Sequence, residues 1–228
     1  DLPRPGMRHR DARNGLSNPG VRAKTLKIAQ LLTSPRWLWD VAVRGGPLNF
    51  GNLNDVMPGT NDLNAIKDWI ETQFDPTVTW DDIAWLRDRW QGRLMLKGIL
   101  DADDARQAVD CGSDGIVVSN HGGRQVDGVA SGAVKLPDIV TAVDGKTAIL
   151  VDGGIRSGVD IFRALALGAQ GVMIGRPWAW ALAAAGENGL NNLLTGLQQE
   201  LRMAMTLTGV TRINDIGPDQ LDQTGEKQ

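Results

Sequence analysis

Tyrosine is missing altogether from this 228-residue chain, although eight tryptophans are present, and the chain opens on aspartate rather than methionine. Both features suggest a piece of something longer. A single cysteine, Cys111, excludes an intramolecular disulfide and any cysteine-based metal cluster; it reads as inert packing at a helix end. With only two histidines, His9 and His121, a zinc site built on several histidines is not expected. No stretch approaches the roughly 20 apolar residues that a membrane-spanning helix needs. No signal peptide is expected either, because Asp1-Leu2-Pro3-Arg4 is followed by no apolar run. Hydrophobic residues at 42% and charged residues at 22% are ordinary globular values and exclude a largely disordered chain. The net charge of −3 argues against nucleic acid as a partner.

That charge is unevenly spread. Between Arg4 and Arg44 there are nine Lys and Arg against Asp11 and Asp40, so the segment carries +7 and the remainder −10. Two readings stand: a solvated helix face balanced by an acidic surface, or a first fifth that meets an anionic membrane. Residues 20–44 have helical spacing through Leu26, Ala29, Leu32, Trp37, Leu38 and Val41, with Pro35 breaking the run. Residues 45–64 are rich in Gly, Asn and Pro and read as an extended loop. A Trp-rich helix follows from Trp80 to Trp90, with Thr79 or Asp81 as its N-cap.

Beyond Trp90 the pattern becomes regular. Four short apolar strands, 93–99, 115–119, 147–151 and 171–174, alternate with helical segments at 101–111, 136–143, 157–167 and 178–208. Such alternation, with continuously apolar strands, predicts an α/β fold whose parallel strands are buried on both faces.

Each strand ends on a chemical group: Lys97, then Ser119-Asn120-His121, then Asp152-Gly153-Gly154-Ile155-Arg156, then Gly175-Arg176-Pro177. Strand ends carry the active site in a (β/α)₈ barrel and in a doubly wound sheet alike. In the last two loops, Gly153, Gly154 and Gly175 offer bare backbone N–H groups, and Arg156 and Arg176 offer positive charge, which together suit a phosphate. The helix opening at Ser157-Gly158 is expected to add its N-terminal potential. Lys97 either snorkels at a strand end or faces a cofactor or developing anion. His121, followed by Gly122, Gly123 and Arg124, is either a satisfied structural histidine or a general base beside a carboxylate clamp. His9 is the weaker base, because Arg8 and Arg10 flank it and disfavour proton uptake.

The strings LMLKGIL, GIVVSNHGGRQVDG, ILVDGGIRSG and LALGAQGVMIGRP, in this order, resemble the FMN-dependent L-2-hydroxy-acid dehydrogenase and oxidase family. SNHGGRQ is the most specific of them. The start, DLPRPGMRHRD, resembles the end of that family's fourth barrel strand and the loop after it. SPRWLWDV, GNLND, FDPTVTWDDIAWLRDRW and MTLTG are most similar to respiratory L-lactate dehydrogenases.

The resemblance implies the C-terminal half, about strands 5–8, of a (β/α)₈ TIM barrel. Residues 4–78 would be the strand-4 loop and a long helical insertion, 79–208 four βα units, and 209–228 a tail. It implies FMN as cofactor and a small L-2-hydroxy acid, L-lactate above all, as substrate. His121 would be the catalytic base and Asp1 the carboxylate that orients it. Arg124 would grip the substrate carboxylate with Arg8 nearby, and Lys97 would face the N1/O2 edge of the flavin. Ser119 would line the ribityl site, and Asp152, Gly153, Gly154, Arg156, Gly175 and Arg176 would hold the ribityl chain and phosphate.

The family's active-site tyrosines come from the first barrel strands and have no counterpart here. Open strand edges alone invite aggregation, so the first half is expected as a separate or cleaved chain, or as a part not included in this one. The resemblance implies a homo-oligomer of tetramer type. The location implied is cytoplasmic, peripheral on the inner face of the cell membrane, with a quinone or other respiratory acceptor. The alternatives are a dioxygen-using oxidase or monooxygenase and, in another class, a non-catalytic phosphate-binding fragment.

Overall fold

The computed structural model describes residue 25 and residues 28–29, 31–45, 53, 55–56, 63–126 and 128–222. These fall into two compact units, divided between Thr77 and Val78. In the first unit, Pro35–Trp37 form a short helical turn that runs into a π-helical turn, Leu38–Val43. Pro35 starts this turn rather than ending one, a position where its missing N–H costs nothing. Helix α1, Leu63–Thr72, overlaps the end of the stretch expected as loop and continues beyond it. Its signal was the spacing of Leu63, Ile66, Trp69 and Ile70, of which Ile66 is buried.

The second unit begins with α2, Trp80–Arg89, where the backbone N–H of the N-cap Thr79 donates to Asp82. Thereafter strand and helix alternate: β1 Met95–Ile99, α3 Ala102–Asp110, β2 Gly115–Val118, α4 Gly132–Val143, β3 Ala148–Asp152, α5 Gly158–Ala166, β4 Gly171–Met173 and α6 Arg176–Leu207. The strands form one parallel sheet in the order β1-β2-β3-β4. Asp101 and Ser131 accept from backbone N–H groups at the starts of α3 and α4. Helix α4 begins four residues before the expected start and carries Pro137 inside it. Helix α6 is broken at Ala185 and Gly186, whose backbone angles are not helical.

The core lies between the sheet and its helices. Ile99, Ile116, Val118, Ile149 and Val151 pack with Ala105 and Ala108 of α3, Leu136, Ile139 and Val143 of α4, and Ala164 of α5. Burial on both faces holds only for β2. In β3, Ile149 and Val151 are buried while Ala148, Leu150 and Asp152 are only half-buried. Period-two alternation puts those three on the face turned away from the helices.

Helices α5 and α6 approach closely at Gly158. A Cβ there would stand 2.3 Å from the Leu201 nitrogen and 2.4 Å from the Leu197 oxygen, both backbone atoms that cannot swing aside. Gly158→Ala should therefore destabilise the protein by about 2 kcal/mol, within the usual range for overpacking. Calorimetric melting should show a midpoint several degrees lower; an unchanged midpoint would mean that the two helices do not meet there.

Candidate active site

Sheet register brings the chemistry together. Lys97 pairs with Val117, and Val117 with Leu150. One side-chain period further on, Ser119 and Asp152 therefore share a face with Lys97, at the C-terminal ends of their strands. A bulge between Lys97 and Ile99, at Gly98 with φ of 103°, displaces the pairing by one residue and re-aims Lys97. Lys97 Nζ lies 3.1 Å from His121 Nδ1 and 3.5 Å from Asp152 Oδ2, and donates to Ser119 Oγ at 3.3 Å. Ser119 is fully buried, and its hydroxyl also accepts the His121 backbone N–H at 3.0 Å. It stands behind Lys97 and His121 and is not on the cavity wall.

The cavity, about 510 Å³, is walled by Lys97, His121, Gly122 and Arg124 on one side. Asp152, Gly153, Gly154 and Arg156 wall it from β3, and Gly175 and Arg176 from β4. This is an ordinary size for a small-molecule site. Arg176 Nη2 donates to the Gly122 carbonyl at 3.0 Å, tying the loop after β4 to the turn that carries His121. Asp1 and Arg8 lie outside the described residues. Gln125, Met173 and Trp178 also line the cavity, although they are not among the residues expected from sequence. Gln125 had a signal in its place beside Arg124, and Met173 in its register with Asp152.

One expectation is corrected. The N-terminus of α5 is largely taken by the protein's own acceptors, which bind the N–H groups of Arg156, Ser157, Gly158 and Asp160. Asp160 Oδ2 accepts from the N–H groups of Arg156 and Ser157, Ser157 Oγ from Asp160, and Glu200 Oε2 from Gly158 at 2.6 Å. Burial acts to raise the Asp160 carboxyl, but these hydrogen bonds outweigh it and hold its pKa below the ordinary value. The open end belongs to α6 instead. Its N-cap is Gly175, no side chain caps it, and its first turn holds no acidic residue. Its first residues line the cavity, where the positive end of the helix favours an anion, although Pro177 offers no N–H.

The His121 pKa is lowered from its ordinary 6.5, first by burial and next by the Lys97 ammonium; the Asp152 carboxylate pulls the other way. A lowered pKa keeps the imidazole neutral, and so able to take a proton, further into acid. The acid limb of kcat/KM should consequently fall below pH 6.5. Lys97→Met, which removes the neighbouring cation, should move it upward. A limb at or above pH 6.5 in the unaltered protein would contradict this geometry.

Residues 1–223 match the family model described as FMN-dependent dehydrogenase, and the chain belongs to that family. It is 49% identical over its full length to an L-lactate dehydrogenase of Pectobacterium atrosepticum, of which it covers 58%. It is 50% identical, over 97% of its length, to an L-lactate dehydrogenase of Yersinia pestis, again covering 58%. A crystal structure of mandelate oxidase with 2-hydroxy-phenylacetamide is similar at a TM-score of 0.60 and 52% identity, over 62% of this chain and 42% of that one. Another, with the monooxide FMN adduct, gives 0.58 and 53%, over 60% of this chain and 44% of that one. The chain thus spans about three-fifths of the curated relatives it matches.

The residues present fit FMN. Asp152 Oδ1 is buried with no partner among the described residues, an acceptor suited to a ribityl hydroxyl. Gly153 and Gly154 adopt φ of 88° and 85°, and a Cβ built on Gly154 or Gly175 meets nothing within 4 Å. Their backbones are open to close approach, with Arg156 and Arg176 placed to neutralise a phosphate.

Proposed function

We propose that the protein containing this chain oxidises an L-2-hydroxy acid, L-lactate by preference, to the 2-oxo acid. The observation that carries this reading is the couple of His121 and Lys97 at 3.1 Å, walling one cavity with Arg124 and the glycine turns of β3 and β4. The names of the curated relatives support L-lactate as the substrate. Gly153, Gly154, Arg156, Gly175 and Arg176 hold the phosphate, and Asp152 holds a ribityl hydroxyl. FMN, when bound, supplies the acceptor for the two electrons that leave the substrate carbon. Lys97 presents a positive charge to the flavin edge where negative charge grows. Arg124 binds the substrate carboxylate. His121 takes one of the two protons lost when the alcohol becomes a ketone. Asp1, which would orient His121, and Arg8, which would assist Arg124, enter by family resemblance.

A dioxygen-using oxidase is the second reading, favoured by the likeness to mandelate oxidase. Anaerobic addition of L-lactate to the FMN-loaded protein should bleach the flavin, and admitting first a quinone analogue and then oxygen tells the two apart. A colourless protein, or one that no hydroxy acid bleaches, overturns both.

The remaining strands of the barrel would pair along the open edges of β1 and β4, within a homo-oligomer. No helix among the described residues is long and apolar enough to cross a membrane. A peripheral seat on the cytoplasmic face is proposed from the +7 segment and from Trp37 and Trp39, both exposed. Sedimentation with anionic vesicles across a salt series tests it, and absence of binding at every salt concentration overturns it.

A further inference from the structure

The loop after β2 holds an unusual run of backbone. His121, Gly122 and Gly123 have φ of 54°, 67° and 69°, three consecutive residues on the left-handed side. For the glycines this costs nothing, but a histidine there is disfavoured by about 1–2 kcal/mol. Something must hold the run. Ser119 holds its first N–H, and the next contacts come from Asn120. Its side-chain Oδ1 accepts from the Gly123 N–H at 3.2 Å, and the same N–H also reaches the Asn120 carbonyl at 3.1 Å. Its Nδ2 donates to the Ala130 carbonyl at 3.4 Å, on the returning limb of the loop. That limb is fixed in turn, because Ser131 caps α4 and Gly132 sits where a Cβ would be 3.0 Å from the Val118 oxygen. Asn120 Oδ1 also lies 3.5 Å from where a Cβ on Gly153 would stand, so the amide abuts the glycine turn of β3.

We propose that Asn120 is a positioning residue: one amide clips both limbs of the 121–130 loop and seats the His121–Arg124 turn against the phosphate turn at Gly153. The inference rests on the reading above, in which His121 is the base and Arg124 the carboxylate clamp. Without the clip, Gly122 and Gly123 become hinges, and both His121 and Arg124 lose their placement. Placement errors of about 1 Å cost on the order of 100-fold in rate. Asn120 touches neither proton nor carboxylate and acts only through its neighbours.

The test uses the FMN-loaded protein and a readout independent of turnover. The His121 ring resonances can be assigned as those lost in His121→Gln, and the ring titrated by NMR. Groups facing that ring are Lys97 from β1 and Asp152 from β3. Arg124 shares its turn, and Arg176 reaches the adjoining carbonyl from α6. In Asn120→Ala the ring should leave Lys97, its titration should move up toward the ordinary value, and kcat/KM for L-lactate should fall about 100-fold. Val143→Ala, a core change remote from the cavity, should lower the melting temperature without moving the titration. Asn120→Ser keeps an oxygen for the Gly123 N–H and loses only the bond to Ala130; it should shift the same quantities less, and it decides the matter if the alanine variant does not fold. An unmoved titration with unchanged kcat/KM overturns the proposal. If His121→Ala itself reduces flavin normally, the underlying reading fails instead.

Discussion

His121→Ala should leave FMN bound and slow flavin reduction by L-lactate by at least about 10²–10⁴-fold, the usual loss when a general base is removed. The size of the effect follows from the lack of a substitute. Among the described residues that wall the cavity, the other side chains that titrate are Lys97, Asp152 and three arginines. Lys97 and the arginines are cations at neutral pH with no lone pair to offer. Asp152, at the end of β3, is engaged at 3.5 Å with Lys97. Binding of FMN should survive because the phosphate cradle lies on the loops after β3 and β4, while His121 follows β2. Stopped-flow reduction under anaerobic conditions measures the first part and flavin fluorescence the second. Unimpaired reduction would remove His121 from the chemistry.

Loss of the arginines should act on the other end of the cofactor. Arg156→Ala should weaken FMN by a factor of about 10–150, corresponding to about 1.5–3 kcal/mol for a charge-assisted bond to phosphate, and leave riboflavin almost untouched. Arg176→Ala should cost as much in FMN affinity and should raise KM for L-lactate as well. The difference arises because Arg176 alone also bonds to the Gly122 carbonyl, beside the base. Fluorescence titration of the FMN-free protein with FMN and with riboflavin separates the two ligands. Equal weakening of both would show that these side chains do not hold phosphate.

The strands and their polar ends were legible because short apolar runs bounded by glycine and charge leave few alternatives, and the four expected runs match β1 to β4 closely. Strand parity explains why Lys97, Ser119 and Asp152 meet, yet parity needs register, and register needs the bulge at Gly98. Nothing local announces that bulge beyond a glycine. The N-terminus of α5 misled because its competitor, Glu200, stands 42 residues away in sequence on another helix. Spacing rules describe a helix start; they do not say which distant carboxylate has reached it first. The role of Asn120 was hidden for a related reason: its partners, Gly123 and Ala130, are ordinary backbone groups that any sequence would supply.

The break at Ala185 and Gly186 divides α6 into a leading stretch of nine residues, 176–184, and a longer one that contains Leu197, the only buried residue of the helix. Nine residues are too few to hold a helix in water unaided. The leading stretch therefore draws much of its order from whatever its N-terminus faces, while the trailing one draws its own from α5. Electrostatically nothing is lost, since the field at a helix end comes from its first turn. Cooperatively the two are separate, and amide exchange should resolve them into two protection classes: the cofactor would slow exchange in 176–184 and hardly touch 187–207. Ligand affinity and the local melting of one short segment then become the same quantity.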